Sequence, residues 1–269
     1  MIKITQFYDK FISERVIRCV QLIYKDSNMK KLNTILAALG ALLMLTATSA
    51  NSLEFKAGVS ANGMAAYANA SETIKDSGYR TTNEEAVLAT SYASIFAEVS
   101  SDEMMGLGIG ISYAPEVADL EKETRTIQNC RDNRDNAGAC VAYATGDSGD
   151  QVIDGKIQDM ASVYVTFPVG DSGAYVKAGY IQATLITSEN LATGSKYEDV
   201  DLEGTTIGAG YEASIGDMAF WRAEGSMQMW QDIDISGSES NNGTTDTSKN
   251  KITAELGSVN GSLSVGMKF

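Results

Sequence analysis

The C-terminal octapeptide, Ser262-Leu263-Ser264-Val265-Gly266-Met267-Lys268-Phe269, alternates apolar with small or polar residues and stops on a phenylalanine. Period-two alternation places successive side chains on opposite faces of a strand. One face of this strand is greasy and the other wet, up to the final residue.

Seven further segments repeat the pattern. The first sets Leu53, Phe55, Ala57, Val59 and Ala61 against Glu54, Lys56, Gly58, Ser60 and Asn62. The second, about 85 to 98, is apolar on both faces. The third alternates Met105, Leu107, Ile109, Ile111 and Tyr113 with Gly106, Gly108, Gly110 and Ser112. The fourth sets Ala161, Val163, Val165 and Phe167 against Ser162, Tyr164 and Thr166, and the fifth Ala174, Val176, Ala178 and Tyr180 against Lys177 and Gly179. The sixth opposes Ile207, Ala209, Tyr211 and Ala213 to Gly208, Gly210, Glu212 and Ser214. The seventh opposes Ala219, Trp221, Ala223, Met227 and Met229 to Arg222, Glu224, Ser226 and Gln228. Each is long enough for a tilted membrane strand of about 9–11 residues.

The connections sort by length. Short turns are expected near Ser100–Glu103, Val169–Ser172 and Gly216–Asp217, and long polar loops over about 66–84, 115–155, 187–203 and 232–250. Strict alternation of long and short connections is the rhythm of an antiparallel barrel with turns on the periplasmic side and loops outside. The fold predicted is an all-β, eight-stranded antiparallel up-and-down transmembrane β-barrel over 53–269. Phe55, Phe96, Phe167, Phe220 and Phe269, with Trp221, then fall near the periplasmic rim, where an interfacial aromatic girdle is expected. Pro115 and Pro168 sit at segment ends. Asn260-Gly261 is a hairpin cue, and the apolar parity slips between Leu256 and Val259; these are read as a bulge in a long eighth strand, with a turn as the alternative.

Residues 29–52 read as a signal peptide: Lys30 and Lys31 follow Met29, Ile35–Leu45 is an apolar core too short to span a bilayer, and Ala50 or Ser52 offers a cleavage point. Residues 1–28, with the lone Cys19, read as an N-terminal extension from an upstream start chosen in error, with Met29 as the real start; an extended n-region or a short amphipathic helix is the alternative. After Ala50 the chain has 14 basic and 32 acidic residues, a formal charge of −18. That balance excludes nucleic acid as a partner. The absence of histidine removes the commonest general base and metal ligand, so no catalytic residue, cofactor or metal site is expected. The stretch Asp132–Gly138 is a poor calcium loop, because Arg134 stands where an oxygen ligand is needed.

Two groups remain. Cys130 and Cys140 lie in the longest loop and, in an oxidising compartment, are expected to form a disulfide. Lys56, Lys177, Glu212, Arg222, Glu224 and Lys268, together with Gln228, fall on the inward parity. Opposite charges in a low-dielectric lumen must pair, and eight strands leave only room for side chains. A salt-bridge network closing the lumen is expected, with a narrow polar path for ions or small solutes as the alternative.

Three stretches carry a resemblance: Ala174-Tyr175-Val176-Lys177-Ala178-Gly179-Tyr180, Thr206-Ile207-Gly208-Ala209-Gly210-Tyr211-Glu212 and Leu263-Ser264-Val265-Gly266-Met267-Lys268-Phe269. They resemble the OmpA-like family of small outer-membrane barrels, which includes the OmpX/Ail adhesin-type proteins. The resemblance covers 170–269 by motif and 53–168 by pattern. It implies that Leu263, Val265, Met267 and Phe269 form the signal read by the barrel-assembly machinery. It also implies a monomer in the cell outer membrane, among its lipid and lipopolysaccharide. A periplasmic peptidoglycan-binding domain is not expected, since the chain ends at the barrel. The role then expected is non-enzymatic: acidic loops for surface interaction, adhesion or envelope integrity.

The cysteine reading is checked by thiol labelling of the folded protein. Cys130 and Cys140 should react only after reduction, and closing so small a loop should stabilise by about 2–3 kcal/mol.

Overall fold

The computed structural model describes residues 53–74, 80–102, 105–127, 149–190, 197–240 and 249–269. The expected extension, signal peptide and cysteine pair lie outside the described residues. Nine strands form one sheet: β1 (Leu53–Ile74), β2 (Arg80–Ser101), β3 (Leu107–Ile127), β4 (Gly149–Pro168), β5 (Ala174–Asn190), β6 (Val200–Ile215), β7 (Ala219–Trp230), β8 (Ile233–Ser240) and β9 (Lys249–Lys268). The order is β1-β2-β3-β4-β5-β6-β7-β9-β8, and a β1–β9 pairing closes the barrel. Strands β7 and β8 lie along the same edge of β9, against Gly257–Met267 and Lys249–Ala254 respectively. They are two pieces of one wall, so the barrel has eight walls.

Closure is complete. The β1–β9 ladder runs unbroken from Lys56–Lys268 to Thr73–Lys251. Phe55 N–H donates to Phe269 O at 3.1 Å and Phe269 N–H to Phe55 O at 2.8 Å. No main-chain edge is left on this side, as a sheet immersed in hydrocarbon requires.

Three expectations are corrected. The strands run well past the expected loop boundaries: β1 reaches Ile74, β3 reaches Ile127 and β4 starts at Gly149, so much of 66–84 and 115–155 is sheet. Asn260-Gly261 is neither bulge nor turn; it pairs in register with Met64-Gly63 of β1 and Ser226-Gly225 of β7. Pro115 lies inside β3, one residue beyond Ala114 and past the last β2–β3 pair, Ile95–Tyr113, where its missing N–H breaks no bond of that ladder.

The reason for the parity slip is the main feature of the fold. In the half that carries the short turns, outward positions are apolar: Val59, Ile207, Leu263 and Val265 are all about half exposed or more. Further up the same strands the solvents exchange. On β6 the outward face changes from Ile207 and Thr205 to Glu203 and Asp201, while the inward face changes from Glu212 and Thr206 to Leu202 and Val200. On β9, Val259 gives way outward to Glu255, and inward Ser258 to Leu256. On β1, inward Asn62 gives way to Met64 and Ala66. The upper lumen is thus packed by a core of Met64, Ala114, Val117, Met160, Ile181, Ala183, Leu202 and Ile233. The walls are lipid-facing below and water-facing above, and the interior follows with the opposite chemistry.

Two lumen glycines are fixed by close approach. A Cβ at Gly110 would collide with the ring of Tyr164, and one at Gly210 with the ring of Tyr175. The outward glycines differ: Gly63, Gly261 and Gly225 share one register row, and a Cβ there meets nothing. They leave a shallow dent in the outer face, bordered by Ala61, Ala223 and Leu263. Gly110→Val should destabilise by about 1–3 kcal/mol through overpacking. Gly225→Ala should stay within about 0.5 kcal/mol, both read from urea unfolding in lipid vesicles.

Candidate functional site

Residues of the lower lumen form the densest polar cluster in the described structure. Arg222, 5 % exposed, is its centre. The antiparallel register sets Arg222 on β7 beside Glu212 on β6. The guanidinium also reaches across the lumen to β2, donating from Nη1 and Nη2 to the two carboxylate oxygens of Glu98, both at 3.1 Å. Its Nε and Nη2 donate to Glu212 Oε2 at 3.1 and 2.6 Å. Lys56 Nζ donates to the other oxygen of Glu212 at 2.7 Å. A second group stands beside it: Glu224 accepts from Lys177 Nζ and from Tyr175 OH, each at 2.8 Å.

The six charges balance, three of each sign. Each carboxylate meets at least one cation, and the bidentate Glu98–Arg222 fork is the geometry in which guanidinium and carboxylate bind best. Aromatic rings cover what remains. Arg222 Cζ lies 5.3 Å from the Phe96 ring centre, 5.0 Å from Tyr175 and 5.6 Å from Phe220. Lys177 Nζ lies 4.2 Å from the centre of Tyr164. Burial of so many charges is tolerable only because each is paired, and Lys56 continues the pairing to Glu54 at 3.3 Å.

Sequence parity names Lys56, Lys177, Glu212, Arg222 and Glu224, and the structure brings these together. Lys268 lies at the rim, where Nζ donates to Ser214 at 3.0 Å, and joins the cluster through Glu54, which is 3.8 Å from Lys268 Nζ and 3.3 Å from Lys56 Nζ. Glu98, 2 % exposed, is absent from the sequence-derived set although it is the bidentate partner of Arg222. The signal is present: Ile95, Ala97 and Val99 alternate with Phe96 and Glu98, but a window over all of 85 to 98 blurs both faces. The girdle expectation is corrected in part. Phe96 and Phe220, 8 % and 1 % exposed, point into the lumen and meet edge to face at 6.1 Å. Phe167, Trp221 and Phe269 do face outward.

Above the charges lies a layer of neutral polar contacts. Ser60 and Ser264 share a hydrogen bond of 2.8 Å, and Ser112 and Ser162 one of 2.7 Å. Asn62 Nδ2 donates to Ser94 Oγ at 3.0 Å, and Tyr92 OH to Asn260 Oδ1 at 3.2 Å. Gln228 accepts from Ser258, which in turn accepts from Trp230 Nε1. Outside the lipid-facing band, Lys156 binds Glu116 at 3.0 Å and Asp119 at 3.6 Å, and these two carboxylates raise its ammonium pKa. Among the described residues no three potential metal ligands come together.

Leu263, Val265, Met267 and Phe269 lie on the exposed outer face of β9, 45–71 % accessible. Arg222→Ala should cost on the order of 3–5 kcal/mol, because Glu98 and Glu212 are left buried without their partner. Lys268→Ala should cost under about 1 kcal/mol. Urea titration of the vesicle-embedded barrel measures both.

No family model matches the chain, and no curated protein matches it. Solved structures do. OprG from Pseudomonas aeruginosa aligns at 12 % identity over 81 % of this chain and 96 % of its own, with a TM-score of 0.48. Ail of Yersinia pestis, crystallised with the heparin analogue sucrose octasulfate, aligns at 12 % identity over 79 % and 99 %, with a TM-score of 0.34. The protease OmpT from Escherichia coli aligns at 12 % identity over 80 % and 97 %, with a TM-score of 0.39. These are likenesses of architecture between chains with little sequence in common. By its closed antiparallel ladder, apolar outer belt and polar lower lumen, the chain is an outer-membrane type of β-barrel.

Proposed function

We propose that the protein is a monomeric, non-catalytic barrel of the outer membrane that is closed to ions and acts through its outward-facing half. The observation that carries this reading is the two-layer filling of the lumen. A balanced charge cluster occupies the lower half, and an apolar core occupies the upper half. An ion would have to displace paired groups and then cross a largely apolar layer, which weighs against the competing reading of a narrow channel.

What is left for function is outside. The strands continue beyond the lipid-facing band, and their outer faces turn acidic at Asp201, Glu203, Asp234 and Glu255. Such a surface suits contact with other surfaces, or with lipopolysaccharide through divalent cations, and loops on a rigid scaffold are where binding residues concentrate. Catalysis has little support: the carboxylates of the lower lumen are tied to cations, and no histidine is available. The outward face Leu263, Val265, Met267 and Phe269 is the segment we assign to recognition by the barrel-assembly machinery, and Cys130–Cys140 is assigned to bracing the longest loop.

Two measurements test the reading. Wild-type protein in a planar bilayer should give no unitary current steps; steady steps would replace this function with a channel. Cells carrying the protein should adhere to abiotic or host-like surfaces several-fold more than cells without it, and deletion of residues 128–148 should remove the difference.

A further inference from the structure

Two of the chain's three Asn-Gly dipeptides meet in the ladder that closes the barrel. Asn62-Gly63 lies on β1 and Asn260-Gly261 on β9, with Gly63 paired to Gly261, Asn62 to Ser262 and Asn260 to Met64. Shape requires neither glycine: neither has a left-handed backbone, and a Cβ at either would meet nothing within 4 Å. Both asparagines line the lumen, and both are held by Tyr92. Asn62, 8 % exposed, acts as a donor: its Nδ2 donates to Ser94 Oγ at 3.0 Å and to Tyr92 O at 3.3 Å, and lies 3.5 Å from Ser60 O. Asn260 acts as an acceptor, its Oδ1 taking the Tyr92 hydroxyl proton at 3.2 Å.

Asparagine before glycine is the pair most prone to lose its amide, because glycine neither hinders attack nor restricts the backbone. The glycine nitrogen bonds to the asparagine Cγ and ammonia leaves. Water then opens the cyclic imide to aspartate or to isoaspartate, whose main chain runs through Cγ and is one atom longer. The extended φ and ψ of a strand keep that nitrogen from reaching Cγ. Sheet closure therefore stops a reaction that the open chain undergoes.

We infer that Asn62-Gly63 and Asn260-Gly261 are self-modification sites that the closed seam silences, and that a chain already converted at Asn62 can no longer close. An acid at position 62 would aim an oxygen at the Tyr92 and Ser60 carbonyls and bury a charge in place of a donor. An acid at position 260 would still accept from Tyr92, so that site tolerates the simple conversion. Isoaspartate at either position puts an extra main-chain atom into the closing ladder and breaks its register. The seam thus separates chains that folded promptly from chains that waited.

The test uses the full chain, held either unfolded in urea or folded in lipid vesicles, in warm neutral buffer. Peptide mass spectrometry follows amide-to-acid conversion at each asparagine. Both should convert at least tenfold faster in urea than in the barrel. Gly63→Ala with Gly261→Ala should slow conversion in urea at least tenfold, a rate that needs no folded protein. The aged urea sample is then refolded and sorted by heat-modifiable gel migration, and its folded fraction should be several-fold depleted in chains converted at Asn62. Asn62→Asp should lower the folded yield several-fold, whereas Asn260→Asp should fold as the wild type does. Equal conversion rates in urea and in vesicles overturn the inference. So does a folded fraction as rich in conversion at Asn62 as the unfolded one, or an Asn62→Asp barrel formed at the wild-type yield. These readouts are folding and covalent mass, so they stand apart from whether the barrel conducts or adheres.

Discussion

Reciprocal main-chain bonding between the first and last strands is the interaction on which every other property of this barrel depends. Hydrocarbon offers no partner to a bare N–H or C=O, and each one left open costs several kcal/mol. The unbroken β1–β9 register, ending in the Phe55–Phe269 exchange, removes that cost from the seam where the sheet would otherwise have two edges. With the seam closed, side chains are free to obey whichever solvent they meet. The fold is an accommodation to three of them: lipid around the lower half, water around the upper half, and the protein's own lumen in between.

That freedom explains why the interior is layered. Below, where the outer face must be apolar, polar residues have only the lumen to occupy, and they are retained by mutual pairing around Arg222. Above, where water lies outside, the ordinary soluble logic returns and the apolar residues pack inward. A buried ion cluster is weak evidence for stability, since a matched apolar core does as well or better. The upper half has taken that option. The lower half carries its charges in a geometry so specific that single-partner loss is costly, which fixes the mutual placement of β1, β2, β6 and β7.

Much of the lower barrel is legible in the sequence, because period-two alternation survives wherever lipid touches one face only. The three turns and the inward lysines and acids of β1, β5, β6 and β7 can be read in this way. What cannot be read is the exchange of solvents along a single strand. On β9 the change between Ser258 and Leu256 looks like a slipped register, when the ladder is continuous and its surroundings change. The same exchange makes the strand extensions look like loops, since Asp201, Glu203 and Glu255 face water from regular sheet. Glu98 is hidden by an alanine-rich segment with little contrast between faces. Contacts across the lumen, such as Glu98 to Arg222, are beyond any reading of local pattern.

The bare row Gly63–Gly261–Gly225 has one further consequence. No side chain thickens the wall there, so acyl tails come to rest against the peptide planes themselves, with Glu224 among the residues bordering that hollow. A carboxylate one peptide layer away from oil gains little screening from that direction. Its bonds to Lys177 and Tyr175 have to stand in for hydration.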